Sequence, residues 1–97
     1  MLATSGDISL AATPQNVTAF FVGSHGGQYL SWDASPGAQQ YRIRRQVNGG
    51  AYVVVGSVPY PYYLDDQDQE GQYVKYFVCA ENGAGESPIT TVICKNP

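Results

Sequence analysis

"VCAENGAGES", Val78 to Ser87, runs from an apolar segment into two glycines spaced G-x-G. A strand followed by such a loop can cradle a phosphate, or it can be a hairpin turn. A dinucleotide fingerprint needs a third glycine three positions on and a helix whose N-terminus meets the pyrophosphate. Three positions after Gly85 stands Pro88, and the "ITTVIC" that follows is β-branched and strand-like. No Lys followed by Ser or Thr completes a phosphate loop there. The stretch therefore reads as a strand, a turn whose glycines admit positive φ, and a return strand.

Working outward, the same grammar repeats. "YVKYFVCAEN" alternates, with Val74, Tyr76, Val78 and Ala80 on one face. "QYLSWDA" puts Leu30 and Trp32 on one face and Tyr29 and Ser31 on the other. "YRIRR" sends Tyr41 and Ile43 inward and Arg42 and Arg44 outward, and "NGG" (48–50) is a hairpin signal that leads into "AYVVVGSV". "PYPYYLDD" cannot be a central strand before Pro61. About seven short strands result, with turn signals roughly every 8–12 residues, the pattern of an antiparallel sandwich or barrel. No window shows a capped helical period. Residues 1–13 read as a linker or loose lead-in, and residues 14–97 as one domain.

Composition agrees. The chain has 97 residues, 43% hydrophobic and 13% charged, with eight tyrosines and eleven glycines. That favours a folded all-β domain over disorder. A net charge of −3, with basic residues few, leaves no nucleic-acid footprint. No apolar run approaches a membrane span. The opening "MLATSGD" has neither a basic stretch nor a long apolar one, so no leader is read there.

The ordered set "PQNVTA", "LSW" (30–32), "YRIRRQVNGGAYVVVG" (41–56), "YYLDD" (62–66) and "YFVCAENGAGES" (76–87) resembles a fibronectin type III domain, closely its bacterial extracellular form. The resemblance covers about residues 14–94. It implies an immunoglobulin-like sandwich, with the first, second and fifth strands in one sheet and the third, fourth, sixth and seventh in the other. It implies a core of Leu30, Trp32, Tyr41, Ile43, Tyr63, Tyr76, Val78 and Ala80, most of which alternation gives independently. The family usually has a tyrosine at the start of the sixth strand whose hydroxyl bonds back to nearby backbone. Val74 occupies that slot here, beside Tyr73. The resemblance further implies a non-catalytic accessory or spacer module of a larger secreted or cell-surface protein, in the bacterial form often a carbohydrate-active enzyme. Its partners would be the neighbouring domains of the parent chain.

Several features invite chemistry. Asp65, Asp66, Asp68, Glu70 and Gly71 imitate the first half of a calcium loop, but the closing glutamate position falls on Phe77; a solvated acidic turn is the simpler reading, and no metal or other cofactor is expected. Cys79 alternates outward, and if Ile93 points inward Cys94 faces outward too, so a disulfide across neighbouring strands competes with two inert thiols. One histidine, His25, and the serines Ser31 and Ser35 near Trp32 make no catalytic set. Arg42, Arg44 and Arg45 lie on the third strand, two of them sharing the outer face. Asn16-Val17-Thr18 fits a glycosylation sequon, and no "RGD" occurs. The stronger lead is aromatic. Tyr29, Tyr60, Tyr62, Tyr73 and Phe77 are candidates for exposure, and such a row could contact polysaccharide or protein. That gives the competing reading, a carbohydrate- or protein-binding module.

Overall fold

A computed structural model describes residues 9–22, 27–67 and 71–95. The strands are β1 (Gln15–Phe21), β2 (Gln28–Asp33), β3 (Gln40–Val47), β4 (Tyr52–Val58), β5 (Tyr62–Asp65), β6 (Tyr73–Asn82), β7 (Gly85–Glu86) and β8 (Thr90–Lys95). All pairings are antiparallel. One sheet runs β1-β2-β5; the other runs β4-β3-β6, with β7 and β8 successively along the far side of β6. This is the two-sheet, immunoglobulin-like all-β sandwich, its last strand split in two.

Alternation builds the core. Leu30 and Trp32 from β2 face Tyr41 and Ile43 from β3 and Val74, Tyr76, Val78 and Ala80 from β6. Trp32 meets Tyr41 edge to face, with ring centroids 5.3 Å apart, a favoured aromatic geometry. The Tyr41 hydroxyl accepts from the Ser35 amide at 2.7 Å, so its polar tip is satisfied inside. Tyr63 is only half-buried: its ring covers Gly56 and its hydroxyl donates to the Val55 carbonyl at 2.9 Å. Between β3 and β4, Asn48 (φ 49°) and Gly49 (φ 74°) both take positive φ, as a two-residue hairpin turn matched to strand twist requires.

The lead-in departs from expectation. Ala11 belongs to the core, and Pro14, with which the expected domain opens, is fully buried. The Ala12 amide donates to the Pro36 carbonyl at 3.0 Å, and Asn82 Nδ2 donates to the Ser9 carbonyl at 2.8 Å. Small residues read as loose from their polarity are docked because they fit under the turn at Gly37. Residues 1–8 lie outside the described residues.

The corner that lacks its tyrosine is held by charge. Val74 is fully buried and has no hydroxyl to offer. Tyr76, two residues on, donates its hydroxyl to Asp65 Oδ2, and Arg45 Nη1 lies 2.7 Å from the same oxygen. Gln67 donates its amide to Asp65 Oδ1 at 3.3 Å. Asp65 is therefore not part of a solvated acidic turn: it is 2% exposed and links β5 to β3 and β6 between the sheets. Burial, and then the bond to Asp65, push the Tyr76 phenol well above its usual range. Arg45 points inward, as its parity with Tyr41 and Ile43 dictates.

The last strand carries the other correction. In the β6–β7 hairpin Glu81 faces Glu86 and Asn82 faces Gly85. Continued unbroken, that register would set Ile93 opposite Val74. Instead Cys94 faces Val74 and Ile93 faces Lys75. One residue is absorbed at Ser87–Ile89. The Ser87 amide donates to the Ala80 carbonyl at 2.8 Å, but the Ala80 amide donates to Ser87 Oγ, at 2.9 Å, rather than to a main-chain oxygen. The serine hydroxyl stands in for a carbonyl, and the chain steps out of register. A one-residue slip turns every side chain over, so Cys94 faces in and Ile93 is exposed.

Candidate functional site

Outward positions on the three-stranded sheet are set by the same alternation that buries Leu30 and Trp32. Phe20 on β1 pairs with Tyr29 on β2, and Ser31 pairs with Tyr62 on β5. Their rings form a continuous row. Centroids of Phe20 and Tyr29 are 5.5 Å apart, those of Tyr29 and Tyr62 6.3 Å, and those of Tyr62 and Tyr60 4.4 Å. Tyr60 is brought in by the turn between Pro59 and Pro61, where the Trp32 amide donates to the Pro61 carbonyl at 3.0 Å. Phe20, Leu64, Tyr60 and Tyr62 are exposed, Phe20 by 58%. A concavity of about 300 Å³ lies beside the row, lined by Val58, Tyr60, Tyr62, Tyr63 and Leu64.

The ring geometry limits what this face can do. Tyr29, Tyr62 and Tyr60 are stacked on one another, with interplanar angles of 27° and 22°. Stacked rings cover part of each other's faces, the more so the closer their centroids. A sugar ring stacking on an aromatic needs a free face: Tyr60 and Tyr62, 4.4 Å apart, cover one face of each other, whereas Tyr29 is offset from Tyr62 at 6.3 Å and Phe20 is tilted by 50° to Tyr29. The row is an exposed, largely apolar ridge along the smaller sheet. Contiguous exposed apolar surface of this kind marks interaction sites more than scattered residues do.

Tyr29, Tyr60 and Tyr62 are thus brought together, and Phe77 is not. Phe77 lies on the opposite sheet, edge to face with Tyr52 at 4.5 Å, with the Arg44 guanidinium 6.0 Å from the Tyr52 ring. Tyr73 is exposed at the pole where β6 begins. Sequence reading missed Phe20 and Leu64. The signal was present in the parity of β1, where Phe20 follows Thr18 on the outward face, but "PQNVTAFFV" alternates poorly because β1 carries a bulge between Gln15 and Thr18.

A second polar cluster covers the outer face of the larger sheet. Arg44 makes a two-pronged pair with Glu86 at 3.3 and 3.1 Å. Arg42 Nε lies 3.2 Å from Glu81 Oε2. Beneath them Cys79 points away from the core yet is fully buried: its thiol donates to Glu86 Oε1 at 3.6 Å, and Arg44 Nη1 lies 3.8 Å from its sulfur. Burial chiefly pushes the Cys79 thiol up, and burial does the same to Cys94. Both are the protonated, inert form of cysteine. The disulfide alternative is overturned. Both cysteines are free; Cys94 faces Val74, five residues from Cys79 along β6 and on the other face, a separation of about 17 Å by strand rise.

The remaining candidates are dispersed. Ser31 Oγ lies 3.2 Å from Thr18 Oγ1, and Ser35 is a buried turn residue. Asn16, of the sequon, is exposed and donates to Asp33 Oδ2 at 2.6 Å. His25, Asp68 and Glu70 lie outside the described residues. Among the described residues no three His, Cys, Asp or Glu side chains are grouped to hold a metal ion, and no helix is long and apolar enough to cross a membrane.

No protein-family model matches the chain, and no curated protein matches it. Solved structures do. The chain is similar to an Fn3-like protein from Clostridium thermocellum, at 27% identity and TM-score 0.77, over 92% of this chain and 96% of that one. It is similar to the fn3 domain of human collagen alpha-1(XX), at 22% identity and TM-score 0.76, over 98% and 93%. It is also similar to part of the twitchin kinase region of C. elegans, at 19% identity and TM-score 0.77; there 92% of this chain spans 17% of a chain that also carries kinase and Ig portions.

Proposed function

We propose, starting from a chain whose fold is that of a fibronectin type III domain, that it serves as a non-catalytic spacer and docking module within a larger secreted or cell-surface protein. A bacterial carbohydrate-active enzyme is the parent that best suits the sequence resemblance. The observation that carries the reading is where the chain enters and leaves. Ser9 is bound at the pole formed by Gly37 and Asn82. Lys95 pairs with Tyr73, beside the Asn48 turn at the opposite pole. The ten residues of β6 span that distance, about 30 Å by strand rise. A rigid sandwich with its ends at opposite poles sets the spacing and direction of its neighbours. The fibronectin-like part of the twitchin region supports a modular role for the fold.

The aromatic row adds docking to spacing: a neighbouring domain leaning on Phe20, Tyr29 and Tyr62 would bury their edges. Docking stabilises the module by linkage. Its melting temperature is therefore expected to be higher within the parent than alone, and the difference should vanish when Phe20 and Tyr62 are both replaced by Ser. Equal melting temperatures in the two contexts would remove the docking role. The competing carbohydrate reading is tested by affinity electrophoresis on soluble and insoluble polysaccharides. No retardation is expected; retardation abolished by Tyr60→Ala would establish the sugar platform instead.

A further inference from the structure

Asparagine followed by glycine lets a peptide nitrogen reach the side-chain amide most easily, because glycine has no Cβ to hinder the approach. The chain holds four asparagines. Asn16 precedes Val17, whose branched side chain crowds the peptide nitrogen, and Asn96 precedes Pro97, which has no amide proton to lose. Asn48 and Asn82 each precede a glycine, and they stand at opposite poles of the sandwich. The fold treats the two differently. Asn82 is half-buried and its side chain is fully engaged. Its Nδ2 donates to the Ser9 carbonyl at 2.8 Å and to the Gly37 carbonyl at 3.1 Å, and its Oδ1 accepts from the Ala84 amide at 2.8 Å. Asn48 is exposed in the β3–β4 turn. Its Oδ1 accepts from the Tyr73 amide at 2.9 Å, and its Nδ2 has no partner among the described residues. The Gly49 amide likewise donates to none of them, and beyond its chain neighbours no atom lies within 4 Å of where its Cβ would stand.

We propose that Asn48 is a site of spontaneous deamidation, converted to aspartate and isoaspartate while the fold shields Asn82. The Gly49 nitrogen gives its proton to solvent base and attacks Asn48 Cγ. The negative charge that develops on Oδ1 meets the Tyr73 N–H already bonded there, a single-donor oxyanion hole. The Cγ–Nδ2 bond breaks, and Nδ2, open to water, takes up a proton and leaves as ammonia. Water then opens the cyclic imide at either carbonyl, giving aspartate or isoaspartate, and is the only reactant consumed. Asn82 can react only after releasing its three bonds, and the loss of even one slows a reaction about tenfold. The site matters for what the turn braces. The Asn48 amide donates to the Tyr73 carbonyl at 2.8 Å, and Tyr73 pairs with Lys95 at the end of β8. Isoaspartate threads an extra methylene into a two-residue turn whose backbone must match the strand twist, so the modification loosens the pole where β8 ends.

Peptide mapping of the whole chain, held in warm, mildly alkaline buffer either folded or unfolded in urea, tests the assignment. Unfolded, the two Asn–Gly pairs should react at similar rates. Folded, Asn48 should convert at least about tenfold faster than Asn82 and give both aspartate and isoaspartate. Amide exchange at Gly50, which donates to the Val47 carbonyl, should quicken in the isoaspartate form. Asn48→Asp keeps an oxygen for the Tyr73 amide and should end ammonia release from the folded chain. Folded Asn48 reacting no faster than Asn82 overturns the proposal, as does the same preference persisting in urea, since sequence and not the fold would then select the site. Aspartate without isoaspartate means direct hydrolysis with no part for the Gly49 amide, and overturns it too. So does undiminished ammonia release from folded Asn48→Asp.

Discussion

At Asp65 one carboxylate accepts from three segments: the Tyr76 hydroxyl on β6, the Arg45 guanidinium on β3 and the Gln67 amide. The carboxylate is nearly out of solvent, and a buried pair that loses one partner leaves an uncompensated charge behind. Asp65→Ala is therefore expected to cost about 3–5 kcal/mol, as Arg45 is left facing the core edge. Tyr76→Phe removes one bond to a charged group and should cost less, about 1.5–3 kcal/mol. Urea unfolding of both variants checks the order; equal losses would mean the arginine is solvated on losing its partner. Part of this was legible in the sequence. Arg45 shares inward parity with Tyr41 and Ile43, and a charge at an inward position asks for a partner. The partner itself was not legible, because Asp65 stands in a run of acids that reads as a polar turn. Only the approach of the two sheets separates it from Asp66.

At the scale of elements, β2, β3 and β6 follow directly from alternation, because each has one face in the core and one outside. β8 does not. "ITTVIC" offers an aliphatic residue at either parity, so periodicity alone cannot orient it. Its orientation is decided upstream, where Ser87 substitutes its hydroxyl for a main-chain carbonyl. The two thiols follow from that step. An Ellman titration is expected to find both free under denaturing conditions and neither reacting quickly in the native chain, and reductant should leave the melting temperature unchanged. Both thiols are raised by burial, so the folded chain holds its protons longer than the unfolded chain. The stability this contributes is complete below the unfolded thiol value, about 8.5, and is lost as pH rises through the folded values. Stability should fall above about pH 9, and replacing both cysteines by Ala should remove the first part of that fall. On β4, a Cβ at Gly56 would lie 2.5 Å from the Tyr63 ring. That ring is pinned by its bond to the Val55 carbonyl, so Gly56→Ala is expected to cost about 1–3 kcal/mol through overpacking.

The whole molecule has two kinds of surface. The outer face of the larger sheet is knitted by Arg42, Arg44, Glu81 and Glu86 over Cys79. The outer face of the smaller sheet is aromatic. The layering was readable because punctuation by Gly and Pro cuts the chain into strands of sandwich length, each with one consistent inner face. The aromatic row was readable only as separate tyrosines, since the neighbours that complete it come from β1 and β5 by cross-strand pairing. In the proposed role, entry at Ser9 and exit at Lys95, at opposite poles, make the body a strut between neighbours. Small-angle scattering on the parent protein, with this module in place and with it replaced by a Gly/Ser linker of equal residue count, tests that role most directly. With the module present, the flanking domains should sit at one separation near 30 Å plus their own radii; the linker should give a broad distribution. The same broad distribution in both proteins, or flanking domains in side-by-side contact past the module, would contradict it.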